Sequence, residues 1–218
     1  MDIEANLQRY LDGGIQPDER YASFDYCFNY FQSFRESGRI SELASPEFMQ
    51  SSCLQLGFYL ASWGMLRGSA ELLQKSARYL TPTIKVIAQT DKSVWEIDAH
   101  IYTDANVRLL MKLAAAIESA LPAASQTLQT KIMLGVFGCV PAFDTNFKKG
   151  CKAANITQTF GPNALKQIGF FYADNAALLD SYRVRTIDFV AGESTARIYT
   201  RAKAIDMAFF SEGERASV

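Results

Sequence analysis

The sequence predicts an all-α fold, a compact domain of about nine or ten helices, and three observations predict it. Helix-capping residues recur along the chain, each followed by a segment that ends in glycine or proline. Apolar residues within those segments repeat at helical spacing. Hydrophobic residues make up 49% of the 218-residue chain and charged residues 21%, a balance that can bury a core and argues against disorder. The expected organisation is one helical domain over 1–218, with the Ala-rich corner at 121–125 as its lobe boundary.

Each element follows from its own punctuation. Asp2 caps a first helix that stops at Gly13-Gly14. Pro17-Asp18 opens a second, running through an aromatic block to Gly38. Ser45-Pro46-Glu47 combines a cap, a first-turn proline and an acid at the positive end of the helix dipole. The third helix it opens reads as buried and runs to Gly68. Ser69 caps the next, which Thr81-Pro82 interrupts. Thr103-Asp104 begins an amphipathic helix through Ala120, halted by Pro122. Residues 125–137 are helical, Gly138 to Pro141 is a break, and Asp144 or Thr145 caps another helix. Gly161-Pro162-Asn163 starts a long helix toward Tyr182. Ser194 caps the last, with Ile198, Ala202, Ile205 and Phe209 on one face and Arg197 and Arg201 turned away. Residues 84–87 and 183–189 alternate enough to be short strands.

Two stripes concern packing. Tyr21, Phe24, Phe28 and Phe31 share one helical face, and Tyr26, Tyr30 and Phe34 load a second, so this helix belongs in the core. Gly57, Ala61, Gly64 and Gly68 align at spacings that let a neighbouring helix approach closely.

The composition excludes several chemistries. A formal charge of −1 disfavours broad, non-specific binding of nucleic acid, although the C-terminal part of the chain is mildly basic and the N-terminal part mildly acidic. The four cysteines lie far apart at 27, 53, 139 and 151. The first residues carry no basic flank and no apolar run, so the expectation is a cytoplasmic chain with reduced, inert thiols. No run of about 18 apolar residues suggests a membrane span. With one histidine, His100, neither a zinc site nor a histidine-based nucleophile system is indicated. Phosphate-cradling glycine loops are absent, and Gly135-Val-Phe-Gly138 reads as a helix end. No metal and no cofactor is expected.

One stretch carries a pointer to chemistry. Residues 121–149 run from a Leu-Pro corner through an apolar helix and a Phe-Gly break to a proline, then to Asp144-Thr145-Asn146 and a lysine-rich helix. This stretch resembles the catalytic region of the helix-hairpin-helix DNA glycosylases, in which a Leu-Pro-Gly-Val-Gly hairpin precedes an apolar helix, a proline and Val-Asp-Thr-His-Val. The resemblance implies an all-helical, two-lobed fold, with Asp144 assisting departure of a base flipped out of the nucleic acid. Lys131, Lys148, Lys149 and Lys152 would then contact phosphates. The chain departs from the pattern at the hairpin, where Ala123, Ala124 and Ser125 replace glycines. It also has Gln126-Thr127-Leu128 where the family's lysine stands, and Asn146 for the histidine.

The same residues have a structural account. Asp144 can simply cap its helix through the amide of Asn146 or Phe147, with the lysines a solvated face. Three functions therefore stand open: a non-enzymatic helical protein contacting another macromolecule, either a protein partner or a second copy of itself; a glycosylase-like, nucleic-acid-binding protein; and a small-molecule enzyme with carboxylate chemistry. The absence of recognisable catalytic residues and the surplus of aromatics favour the first.

Overall fold

A computed structural model of the chain describes residues 1–12, 15–68, 70–122 and 124–215. Among these it contains nine α-helices and one two-stranded hairpin, so the all-α class holds. The helices are α1 (Ile3–Asp12), α2 (Ala22–Glu36), α3 (Met49–Ser62), α4 (Thr81–Gln89) and α5 (Asp104–Ala120), followed by α6 (Gln126–Phe137), α7 (Thr145–Ala153), α8 (Pro162–Ser181) and α9 (Arg201–Arg215). Strands β1 (Arg185–Ile187) and β2 (Ser194–Ile198) pair antiparallel between α8 and α9. No helix among the described residues is long and apolar enough to cross a membrane.

Several caps act as their chemistry dictates. The Asp2 carboxylate accepts from Ala5 N at 3.0 Å, Thr103 Oγ1 from Asn106 N at 3.2 Å and Ser125 Oγ from Leu128 N at 3.2 Å. Gly138 ends α6 in the left-handed region (φ +66°), its N–H donating to Leu134 O at 2.9 Å.

Elsewhere long-range packing overrides local punctuation. α2 begins at Ala22, since residues 17–21 form turns instead of a first helical turn. α3 begins at Met49, with Ser45 serving the turn before it, and stops at Ser62 because Gly64 turns left-handed (φ +80°). Gly64 and Gly68 therefore lie outside the helix, and the expected small-residue stripe shrinks to Gly57 and Ala61. Nor is α3 buried on all sides, for Leu54 and Phe58 project into solvent. Ser69, read as a cap, lies outside the described residues. Thr81-Pro82 starts α4 with proline in its first turn, so 84–87 is helical and not a strand. Ser194 opens β2 instead of capping a helix. The cap of α9 comes from Asp98, whose two carboxylate oxygens accept from Arg201 N at 2.9 Å and Ala202 N at 2.8 Å.

One hydrophobic cluster runs from Ile3 in α1 to Phe210 in α9, and Phe24, Phe28, Phe31 and Phe34 of α2 are buried in it. Helices α6 and α9 are innermost: residues 128–137 and 202–213 are buried on every side. The exposed face expected for the last helix is thus absent. α7 crosses α9 at backbone contact. A Cβ on Gly150 would lie 2.4 Å from Phe209 O, and one on Gly213 would lie 2.0 Å from Asn146 O. Only glycine permits this approach. Gly150→Ala and Gly213→Ala should each destabilise the protein by about 1–3 kcal/mol or more, because backbone and not a flexible side chain must yield. At roughly 2–4 °C per kcal/mol for a chain of this size, thermal denaturation should show it.

Asp25 of α2 is buried and joins three elements. It accepts from Ile187 N of β1 at 2.9 Å and from the Tyr199 hydroxyl, and Lys203 of α9 lies near enough to favour its charge. Burial nonetheless wins and pushes its carboxyl up to about 6. A carboxyl raised on folding binds more protons in the native state between about pH 4 and 6, so its contribution to stability falls as pH rises through that window. The shift corresponds to about 3 kcal/mol, lost by neutral pH. Asp206, also raised by burial, acts in the same sense. Denaturation midpoints measured from pH 4 to 7 should decline for the wild type and decline less for Asp25→Asn.

Candidate active site

A cavity of about 650 Å³ opens where the turn after α3 meets the N-termini of α6 and α7 and the last turns of α9. Its lining includes Lys131 and Asp144, two residues singled out in the sequence. Lys131 lies on α6, one turn beyond Thr127 on the same face, and both line the cavity. Its residue surface is only 5% exposed. The ammonium donates to Trp63 O at 2.6 Å and lies 3.5 Å from Asp144 Oδ2. The Trp63 carbonyl is available because α3 ends one residue earlier, and Gly64 then turns the chain away.

Burial lowers the Lys131 pKa below the ordinary lysine value; Asp144 and Asp206 counter that shift, and Arg67 adds to it. A larger fraction of this amine is neutral near physiological pH than for a surface lysine, and a neutral amine is a nucleophile.

Asp144 has two jobs in one carboxylate. Oδ1 caps α7 by accepting from Phe147 N at 3.0 Å, as the structural account expects, while Oδ2 faces Lys131. The segment leading into it is tied down at successive residues. Cys139 O accepts from the Tyr102 hydroxyl at 2.7 Å, Ala142 N donates to Asp206 Oδ1 at 2.9 Å, and Phe143 exchanges hydrogen bonds with Thr127 and Thr130 of α6, each at 2.9 Å. α6 thus holds both the lysine and the approach to the aspartate.

Beneath this pair lies a second. Lys203 and Asp206 of α9 are buried and meet at 3.0 Å. The Lys203 ammonium sits 4.6 Å from the Trp63 ring centroid, 4.7 Å from Phe24 and 5.2 Å from Tyr10, and donates to the Tyr10 hydroxyl at 3.3 Å. Trp63 therefore serves both lysines: its ring lies 4.6 Å from Lys203 and 5.8 Å from Lys131, and its carbonyl also accepts from Lys131. Its indole Nε1 donates to Ser23 Oγ at 3.1 Å and fixes the ring.

Exposed Arg20 and Arg67 stand at the rim, and Arg67 folds back over Gly64. Glu214 also lines the cavity, its carboxyl raised chiefly by burial, with Arg20 acting against that shift. Lys148 and Lys149 are half-buried on α7 and Lys152 is exposed; none of the three lines the cavity. His100 is also elsewhere, its Nδ1 3.9 Å from Asp98. The four thiols are buried and unbridged, and burial pushes that of Cys151 up to about 12. No group of three or more His, Cys, Asp or Glu among the described residues could hold a metal ion.

Arg20, Trp63, Arg67, Lys203 and Asp206 were missed from sequence. For the buried pair a signal existed: opposite charges three residues apart within residues 202–210, whose other members are all apolar. Comparison of the chain with protein-family models, curated proteins and solved structures finds no match.

The altered Lys131 amine can be observed directly. With isotope-labelled dimethyl-lysines, the Lys131 NMR resonance should titrate below those of surface lysines. Asp144→Asn, which removes a neighbouring negative charge, should lower its midpoint further, and Arg67→Gln should raise it.

Proposed function

We propose that the protein is a cytoplasmic enzyme that cleaves the N-glycosidic bond of a nucleotide in nucleic acid, with Lys131 as the amine nucleophile and Asp144 as its partner carboxylate. The observation that carries this reading is the 3.5 Å approach of a buried lysine to a carboxylate at a cavity of about 650 Å³. The resemblance of residues 121–149 to the helix-hairpin-helix glycosylases supports it independently of that geometry. Lys131 is one turn further along the helix than the lysine of that family. Helical side chains lean toward the N-terminus, and its amine meets the Trp63 carbonyl and Asp144. On this reading the partner is nucleic acid, the alternative weighed from sequence, and not the protein partner or second copy favoured there.

The chemistry is a substitution at the anomeric carbon. The neutral Lys131 amine donates its lone pair to C1′ of deoxyribose, and the C1′–N bond breaks with its electrons leaving on the base, which takes up a proton. Asp144 stabilises the positive charge developing on the sugar and accepts the proton that the attacking nitrogen sheds. Opening of the sugar ring leaves a Schiff base, which water hydrolyses to the abasic sugar and the free amine.

Borohydride reduction tests this. Oligonucleotides carrying damaged bases or abasic sites, treated with protein and borohydride, should give a covalent complex of protein and DNA. Lys131→Gln should abolish it. Asp144→Asn should slow its formation on damaged-base substrates by about a hundredfold or more, within the range for a positioned acid–base group, while leaving the cap intact. Trapping that persists in Lys131→Gln, or no trapping with any substrate, would exclude this function.

A further inference from the structure

Arg20 lines two depressions: the cavity of Lys131 and Asp144, and a groove of about 480 Å³ beside it. We propose that the two form a single site for adjacent nucleotides of a single strand, with Arg20 holding the phosphate between them and Phe58 and Phe189 stacking the neighbouring base. This rests on the reading above in taking the occupant of the cavity to be a nucleotide.

The groove is built for a flat apolar group. Its walls include Leu54, Phe58 and Phe189, and the two phenylalanines are 68% and 74% exposed. They come from separate elements, Phe58 from α3 and Phe189 from the tip of the β1–β2 hairpin. Large aromatics converging in solvent mark a contact surface and not a core. Phe189 is also fixed in place. Tyr26 meets it edge-to-face at 4.9 Å, and the Tyr26 hydroxyl donates to Pro17 O at 2.6 Å. The hairpin tip is braced by the Asp188 carboxylate, which accepts from Val190 N and Ala191 N. A pre-set aromatic stacks a base with little further loss of entropy.

Charge sets the direction of the strand. Arg20 is the one cation lining the groove among the described residues, and Asp18 and Glu19 stand on the same wall. A phosphate is therefore welcome only at the junction with the cavity, where the Arg20 guanidinium stacks on Tyr21 at 4.9 Å and donates to its hydroxyl at 3.1 Å. The remainder of the groove suits a base. A duplex would bring a second phosphate backbone toward the two acids and keep its bases paired away from the phenylalanines.

The test is calorimetric titration of the intact protein with thymidine monophosphate, short oligothymidylates of increasing length, and the duplex form of the longest. Affinity should rise sharply from the mononucleotide to the dinucleotide, and single strand should bind more tightly than duplex. Phe58→Ala and Phe189→Ala, both at exposed positions, should each weaken oligonucleotide binding by roughly five- to a hundredfold, as loss of one stacked base does elsewhere. Mononucleotide binding should be unchanged in both. Arg20→Gln should weaken the dinucleotide and lessen its salt dependence. Equal affinity in the phenylalanine variants, duplex binding as tight as single-strand binding, or no oligonucleotide binding at low salt would overturn the proposal. Borohydride trapping of deoxyribose 5-phosphate by Lys131, measured alongside, separates the two ideas because that sugar fills the cavity alone. Trapping without oligonucleotide binding would remove the second subsite and leave the chemistry, and phenylalanine-dependent binding without trapping would do the reverse.

Discussion

The candidate site depends on the crossing of α7 over α9. Two glycines, Gly150 and Gly213, let the helices meet at backbone distance, and that contact brings the N-terminus of α7 down onto the core. Asp144 sits at that N-terminus. From the same crossing, Asp206 of α9 reaches Ala142 N and fixes the loop that delivers Asp144. Were the helices a side chain's width further apart, the carboxylate would be drawn away from Lys131, against the two hydrogen bonds that tie Phe143 to α6. Close packing is here the condition for the electrostatics of the site.

Burying two lysines within a few ångströms of one tryptophan is expensive, because each charge leaves water. The structure offsets that cost in different ways for the two. Lys203 has a paired carboxylate, three aromatic rings and a phenol, and lies sealed in the core. It acts as an internal counter-ion for Asp206 and Asp25. Lys131 has one carbonyl, one carboxylate at a slightly long 3.5 Å and one aromatic ring, the Trp63 indole at 5.8 Å, and it borders a cavity. The contrast separates a structural cation from one kept under tension, with a lowered pKa and access to a ligand.

The fold class was legible because helix caps and stops are local chemistry: Asp2, Thr103, Asp144 and Gly138 act in space as they read in sequence. The illegible elements were those whose boundaries are set from far away. Asp98 caps α9 from across the chain, and the hairpin before it is held to α2 by Asp25, so Ser194 looked like a cap when it was a strand residue. Lys131 and Asp144 were singled out from the 121–149 pattern, Lys131 as a phosphate contact. That they meet was not legible, since the meeting is made by Trp63 and by the glycine crossing. One clue lay unused: Lys131 is the only charge in α6, and a lone charge in an apolar helix must find a buried partner.

The central claim is that the Lys131–Asp144 pair exists for a ligand and not for the fold. Thermal and denaturant unfolding of the Lys131→Met, Asp144→Asn double variant tests it most directly, since methionine fills the volume and asparagine keeps the cap. A pair retained for chemistry is a net burden on stability, so the double variant should be at least as stable as the wild type. A loss of several kcal/mol would contradict the account and make the pair a structural brace.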